Sequence, residues 1–273
     1  MDAPPTHPSP PTDIPFFPPP WDFKAELYLF TTLLKPVQRE DPTLQGLPPG
    51  SYNPSETVHP SGLAPVNGAP QWKGGLSYIV IVRYLDSPIG PYDELIAVTD
   101  GFANPFEKRA TAGRITNIYV NSRKSVWHGR TNWNIQKHLA RFEFIPTDST
   151  TTVKVFLPDA EVPFFSASIT DSSIPAIPLP AFLLNPFMRI VQPPLLASNP
   201  PDIEVASTKD EWVSVTPEYS GRWCPAYIQP SEGGSELYGD GVHYPRTKVF
   251  WIGAKFSGSI HLAGGDKFSG KDE

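Results

Sequence analysis

The chain has 273 residues, 22 basic against 28 acidic side chains, and 35 prolines, which is about 13% proline against a usual share of roughly 5%. Because proline fixes φ and lacks an amide donor, this content excludes long helices and coiled coils. With 39% hydrophobic and 12% aromatic residues, the chain still has enough apolar material for one large core. These numbers predict a loop-rich, mainly β (α+β) globular protein.

Charge and cysteine content exclude several classes of function. A net charge of -6 with scattered Lys and Arg argues against nucleic-acid binding, which needs a basic face. Cys224 is the single cysteine, so neither an intrachain disulfide nor a Cys-rich zinc site can form. There is no signal-peptide pattern, and the apolar residues 78–82 are too few to span a bilayer. We therefore expect a cytoplasmic protein with no membrane span, no nucleic-acid partner and no metal.

In chain order, the prolines divide the sequence into an arm and a domain. Residues 1–20 contain nine prolines and are predicted to be a disordered, polyproline-like arm. Residues 21–273 are predicted to form a single β-barrel-like catalytic or binding domain, with long surface loops between residues 36 and 75. β-Branched and aromatic runs and period-two alternation predict strands at 27–34, 76–85, 94–98, 114–120, 141–145, 151–156, 163–169, 211–215 and 248–256.

Few segments have a helical pattern. Residues 132–140 contain neither Pro nor Gly and carry Asn132 where an N-cap would stand, which predicts a helix. A second short helix is predicted around 181–191. Residues 174–201 are otherwise apolar and rich in proline; core packing with an irregular crossing segment is one interpretation, and a lid or dimer contact is the other.

The candidate site comes from two short segments. The sequence has no G-x-S-x-G elbow, phosphate loop or dinucleotide fingerprint, and its six His residues show no metal-ligand spacing. Instead, Tyr92-Asp93-Glu94 is followed by Gly129-Arg130 and, seven residues after Arg130, by Lys137. In order and spacing these residues resemble the Y-x-E and G-R-x(6)-K segments of the acetoacetate decarboxylase superfamily.

The resemblance implies a fold, a chemistry and a set of residues. The fold would be an antiparallel β-barrel or β-cone with a few short helices, often assembled into rings or dimers. Lys137 would form a Schiff base with a ketone substrate and Glu94 would move a proton, with no cofactor. Substrate-binding candidates are Arg130, His138, Tyr92, Arg114 and Trp133. The substrate would be a small keto compound or a polyketide-like metabolite of secondary metabolism, and the enzyme a decarboxylase-like lyase.

Schiff-base chemistry makes a specific demand on a lysine. Lysine attacks a carbonyl only as the free amine, and with an ordinary pKa near 10.4 roughly one in a few thousand is deprotonated at pH 7. Burial or a neighbouring cation increases that fraction, and acetoacetate decarboxylase is itself the known case. Trp133, Ile135, Leu139 and Phe142 give Lys137 an apolar sequence neighbourhood.

Three departures from the family pattern affect the predicted reaction. His138 stands where the family has a second Lys, and Gln136 where Pro is common. The N-terminal segment around Lys24 offers no Arg to hold a substrate carboxylate. These differences put decarboxylation in doubt, and leave aldol cleavage, dehydration and isomerisation open beside it.

Other interpretations of the same residues stay open. Lys137 could lie on a solvated helix face, Glu94 could pair with an Arg at a strand start, and Arg130 could be structural. The cavity could bind an apolar metabolite without an imine, as a carrier or a cyclase or pericyclase. A structural protein that offers its Pro-rich arm to an SH3-like groove is a third hypothesis.

Overall fold

The computed structural model describes residues 11–34, 46–57, 72–107, 110–179, 189–195, 211–230 and 237–269. The strands within these residues are β1 (Trp21–Leu34), β2 (Gly75–Asp86), β3 (Tyr92–Ala103), β4 (Thr111–Val120), β5 (His138–Leu139), β6 (Arg141–Pro146), β7 (Thr150–Phe156), β8 (Phe165–Asp171), β9 (Ile177–Leu179), β10 (Ile190–Gln192), β11 (Glu211–Val215), β12 (Glu218–Gln229), β13 (Leu237–Tyr238), β14 (Thr247–Lys248), β15 (Ile252–Leu262) and β16 (Asp266–Ser269). The helices are α1 (Pro54–Thr57) and α2 (Arg123–Trp133).

One large sheet dominates the described part of the chain. Its hydrogen-bonded order is β16-β11-β10-β4-β3-β2-β1-β15-β12-β8-β7-β6, with β5 beside β4 and β9 beside β12. Its ladders are antiparallel except those that join β10 and β5 to β4, which are parallel. Among the described residues no ladder joins β16 to β6, so hydrogen bonds do not close the sheet into a barrel. The predicted mainly β class is confirmed, and the sheet is mixed.

The predicted strands all overlap observed ones, and the longest strand that the sequence patterns missed is β12. This strand contains Pro225, a residue that normally argues against a central strand. On one edge β12 pairs with β9 at Gly221–Trp223 and with β8 from Ala226 onward, and Pro225 falls in the gap. Because Pro225 has no strand partner on this edge, its lack of a backbone amide destabilises the sheet least there.

The helix prediction was wrong in its placement. The helix α2 ends at Trp133, and Ser122 caps its start by accepting a hydrogen bond from the Ser125 amide at 3.3 Å. Asn134 takes a left-handed conformation, with φ of 55°, and ends the helix, as Asn does readily at a C-terminal cap. Lys137 therefore lies in the connection between α2 and β5. The second predicted helix lies mostly outside the described residues, and Ile190–Gln192 form strand β10.

The two faces of the central strands have different roles. Alternating residues of β1, β2 and β3 send one set of side chains into a core under β7 and β8, which includes Phe30, Ile79 and Leu95. The opposite set belongs to a second core, with Trp21 and Val82 among its members. A cavity opens within this second core, and α2 forms part of its wall.

Part of the predicted arm packs against α2. Ile14 is buried against Trp127, and the Phe17 amide donates to Nε2 of His128 at 3.0 Å. Burial lowers the pKa of His128, which favours the neutral ring that this hydrogen bond requires. No helix in the described part of the chain has the length and apolar character needed to cross a membrane.

Candidate active site

The cavity is large and mostly apolar. The space between its walls, including the part open to solvent at its mouth, is about 1120 Å³. Strands β1, β2 and β3 supply one wall through alternating side chains. The rest comes from β4, α2 and the segment after it, β10, β11, β12, β15 and the residues beside these strands. The charged residues among its described lining are Glu94, Asp100, Lys137 and Arg189.

Lys137 and Glu94 form an ion pair at one end of the cavity. Nζ of Lys137 donates to Oε2 of Glu94 and, at 3.0 Å, to Oγ of Ser125. The side chains of Lys137 and Glu94 are 8% and 3% exposed, and both line the cavity. Because a buried charge is stable only when paired and hydrogen-bonded, each of these groups depends on the other. The two residues most strongly predicted from the sequence are therefore in direct contact.

Two tyrosines complete the polar end. The Tyr84 hydroxyl donates to Oε1 of Glu94 at 3.2 Å, and Nζ of Lys137 lies 5.3 Å from the centre of the Tyr92 ring, within cation–π range. Burial, followed by the negative charge of Glu94, raises the pKa of both tyrosines well above the ordinary value. Both hydroxyls therefore stay protonated and available as donors.

The local sequence around Lys137 fixes where its side chain runs. Gln136 anchors the segment between α2 and β5 to strand β4, because its side-chain amide donates to the Thr116 carbonyl at 2.5 Å. Gly129 leaves room for the lysine stem against α2: a methyl group there would lie 2.6 Å from Cδ and 2.7 Å from Cε of Lys137. Such contacts are far below normal carbon separations. The packing of the Lys137 side chain therefore explains the glycine of the G-R-x(6)-K segment.

Arg130 and His138 do not line the cavity. Both contact Glu56 of α1: Nη1 of Arg130 donates to Oε1 at 2.7 Å, and Nε2 of His138 lies 3.0 Å from the same oxygen. Burial alone would raise the pKa of Glu56, but Arg130 and His138 outweigh it and lower the pKa to about 2. This buried cluster lies outside the cavity and links α1 to α2 and to β5.

The remaining predicted residues divide in the same way. Tyr92 and Trp133 line the cavity. Arg114 is buried outside it, with its guanidinium 4.1 Å from the centre of the Phe102 ring. Sequence reasoning missed Tyr84 and Ser125, although the period-two alternation of β2 places Tyr84 on the same face as Val82 and so contained the signal for it.

The opposite end of the cavity carries its own charges. Asp100 lies on the cavity-facing side of β3, and burial raises the pKa of its carboxyl. Arg189 also reaches the cavity, but its guanidinium donates to Glu107 at 2.5 Å and to Ser214 at 3.0 Å. The pair at Lys137 thus has no second cation beside it among the described lining residues.

Solved structures share this arrangement of strands. The acetoacetate decarboxylase of Legionella pneumophila aligns with a TM-score of 0.59 at 13% identity, over 96% of this chain and 92% of that one. Another acetoacetate decarboxylase structure gives 0.59 at 10% identity, over 94% and 93%. The enduracididine biosynthesis enzyme MppR complexed with pyruvate gives 0.54 at 14% identity, over 94% and 93%. The chain has the acetoacetate decarboxylase-like fold.

This assignment rests on structure alone. No protein-family model matches the chain, and no curated protein sequence matches it. The acetoacetate decarboxylase-like fold covers nearly the whole chain, which extends the resemblance first seen in the short segments around Glu94 and Lys137. At this level of identity it establishes how the strands are arranged and leaves the reaction to be argued from the site.

Proposed function

We propose that this protein is a Schiff-base enzyme that acts on a keto compound without a carboxylate group, with Lys137 as the nucleophile and Glu94 as the proton carrier. The observation that carries this proposal is the buried ion pair of Lys137 and Glu94 at the end of a large apolar cavity. The fold, shared with acetoacetate decarboxylases and with an enzyme solved in complex with pyruvate, supports the same chemistry.

The first step is proton transfer within the pair. Moving the proton from Nζ of Lys137 to Glu94 converts two buried charges into a neutral amine and a carboxylic acid. The transfer needs no other group, because Nζ of Lys137 is hydrogen-bonded directly to the Glu94 carboxylate.

The covalent steps then balance as in any imine mechanism. The amine nitrogen bonds to the keto carbon, and the carbonyl oxygen takes one proton from the nitrogen and one from Glu94 and leaves as water, so that a protonated imine and the Glu94 carboxylate remain. The electron pair of a C–H or C–C bond at the carbon next to the imine carbon then forms a C=C bond, while the C=N electrons move to nitrogen to give an enamine. Glu94 removes or returns the proton at that neighbouring carbon. Hydrolysis then releases the product and restores Lys137.

The charges in the cavity favour a substrate without a carboxylate. Decarboxylation of a β-keto acid would need a second cation for the carboxylate, because the positive charge at Lys137 becomes that of the protonated imine and acts there as the electron sink. Among the described lining residues the other cation, Arg189, lies at the opposite end. Tyr84, Tyr92 and Trp133 surround the reactive end. Aldol cleavage, dehydration or double-bond isomerisation of a ketone that carries no carboxylate therefore fits the site better than decarboxylation.

Borohydride trapping tests the imine directly. Wild-type protein incubated with an uncharged methyl ketone and borohydride should gain the mass of the reduced adduct on the peptide that contains Lys137. Lys137→Ala should gain none, and Lys124→Ala, which removes an exposed lysine of α2, should label like the wild type. An unlabelled Lys137 in a folded wild-type protein would refute the proposal.

A second function is favoured by the ion pair itself. Since the Lys137 amine is held in an ion pair with Glu94, the cavity could instead bind an apolar metabolite without covalent chemistry, as a carrier or as a cyclase that acts by shape and hydrogen bonds. Under this alternative, Lys137→Ala retains the activity or the ligand affinity of the wild type, and trapping fails with every ketone.

A further inference from the structure

The cavity has a second polar end that the imine chemistry does not use. On β3, Glu94, Ile96, Val98 and Asp100 all line the cavity, as alternate residues of one strand do. Glu94 and Asp100 are six residues apart, which is about 20 Å at roughly 3.3 Å per residue. Apolar side chains fill the wall between them. The site is therefore an apolar channel with one carboxylate near each end.

The backbone around Asp100 leaves room for its carboxylate. A β-bulge in the β3–β4 ladder falls at Asp100, and the facing residue on β4 is Gly113. A methyl group on Gly113 would lie 3.1 Å from Oδ1 of Asp100, so the absence of a side chain there makes room for the carboxylate. The bulge and the glycine together direct Asp100 into the cavity.

The side chain of Asp100 has no hydrogen-bond or ion-pair partner among the described residues. Arg189, the nearest cavity-lining cation along the wall, is engaged by Glu107 and Ser214. Tyr78, on the neighbouring strand β2, lines the same end, and the charge of Asp100 adds to burial in raising the pKa of Tyr78. Asp100 is therefore a partly buried acceptor whose hydrogen-bonding capacity no described residue fills, and the Tyr78 hydroxyl near it can donate or accept a further hydrogen bond.

We propose that Asp100 and Tyr78 form a subsite that binds a hydrogen-bond donor, an ammonium or a hydroxyl group, at the far end of an elongated apolar substrate. The orientation of that substrate, with its keto group at Lys137, rests on the proposed function. The ligand class is therefore a ketone whose apolar body spans the channel and whose other end carries an amine or an alcohol.

The experiment compares methyl ketones of increasing chain length whose far end is an ammonium, a hydroxyl or a methyl ether. The ether keeps the size of the alcohol and removes the donor. Binding is measured by the fluorescence of the tryptophans that line the cavity, independently of trapping. We expect the best-fitting ammonium and hydroxyl ketones to bind about tenfold to a hundredfold more tightly than the ether, as for hydrogen bonds to a charged group.

Variants assign this preference to Asp100. Asp100→Asn should abolish the preference for the ammonium and leave the affinity for the ether unchanged, whereas Asp86→Asn, an exposed residue at the end of β2, should change neither. Because an ammonium could also pair with Glu94, a preference that survives Asp100→Asn would overturn the proposal. If Asp100→Asn does not fold, Tyr78→Phe gives the same comparison: a weakened preference for the hydroxyl supports the subsite, and an unchanged one overturns it.

The two proposals fail separately. Donor selectivity that depends on Asp100, without trapping at Lys137, removes the imine mechanism and keeps the subsite. Trapping at Lys137 with equal affinity for alcohol and ether ketones removes the subsite and keeps the mechanism.

Discussion

Gly129→Ala is the most informative single substitution, because two opposing effects can be separated. In the interior of a helix, replacing Gly with Ala normally stabilises by about 1 kcal/mol. Here the added methyl group would lie 2.6 to 3.0 Å from three carbons of the Lys137 stem, so the lysine must move by roughly 1 Å to restore normal contact distances. Overpacking of this kind costs about 1 to 3 kcal/mol.

Helix propensity and overpacking together predict that Gly129→Ala changes the free energy of unfolding in opposite directions with and without the Lys137 side chain. In the wild type, Gly129→Ala should lower the free energy of unfolding by about 1 kcal/mol, the difference between overpacking and helix propensity. In a Lys137→Ala background the stem is gone, and the same substitution should raise the free energy of unfolding by about 1 kcal/mol. The coupling energy of the double-mutant cycle is therefore about 2 kcal/mol.

Urea denaturation of the four proteins measures this coupling, and trapping of Lys137 provides the functional reading. A shift of roughly 1 Å at a reacting group can cost about a hundredfold in rate, so the adduct should form about a hundred times more slowly in Gly129→Ala. Equal effects of Gly129→Ala in both backgrounds would refute the contact between α2 and the lysine stem.

Three further substitutions test buried ionisable side chains. Glu94→Gln leaves the Lys137 ammonium buried without a counter-charge and should lower the free energy of unfolding by about 3 kcal/mol in urea denaturation; an unchanged stability would contradict the ion pair. The folded-state pKa of Glu56 is about 2, below the ordinary value of 4.5, so its contribution is full above pH 4.5 and lost as the pH falls toward 2. Acid should thus reduce the stability of the wild type by about 3 kcal/mol more than that of Glu56→Gln, and parallel pH profiles would contradict this. The pKa of His128 is lowered by burial, so its hydrogen bond from Phe17 is retained above the ordinary pKa of 6.5 and lost as the pH falls through the folded-state value. Hydrogen exchange at the Phe17 amide should accelerate on acidification, beyond the intrinsic change, in the wild type but not in His128→Gln.

The sequence by itself indicated most of the long strands and singled out Glu94 and Lys137. Alternation along β2 and β3 predicts which side chains share a face, and Tyr92 and Glu94 indeed face the cavity together. The order and spacing of Glu94, Gly129 and Lys137 alone resemble those of a known family. These features are local, because strand periodicity and turn chemistry act over a few residues.

The tertiary structure alone decided what surrounds that pair. Glu94 and Lys137 are 43 residues apart, and whether they meet depends on a helix that ends at Asn134 rather than one that includes Lys137. Glu56 lies in a proline-rich segment with no periodicity, yet it pairs with Arg130 and keeps that cation out of the cavity. Partners of buried charges come from distant segments brought together by packing, and sequence spacing carries no signal for such contacts. The same limit applies to Asp100: the predicted strand ended at residue 98, whereas β3 continues to Ala103 and brings Asp100 into the lining of the cavity.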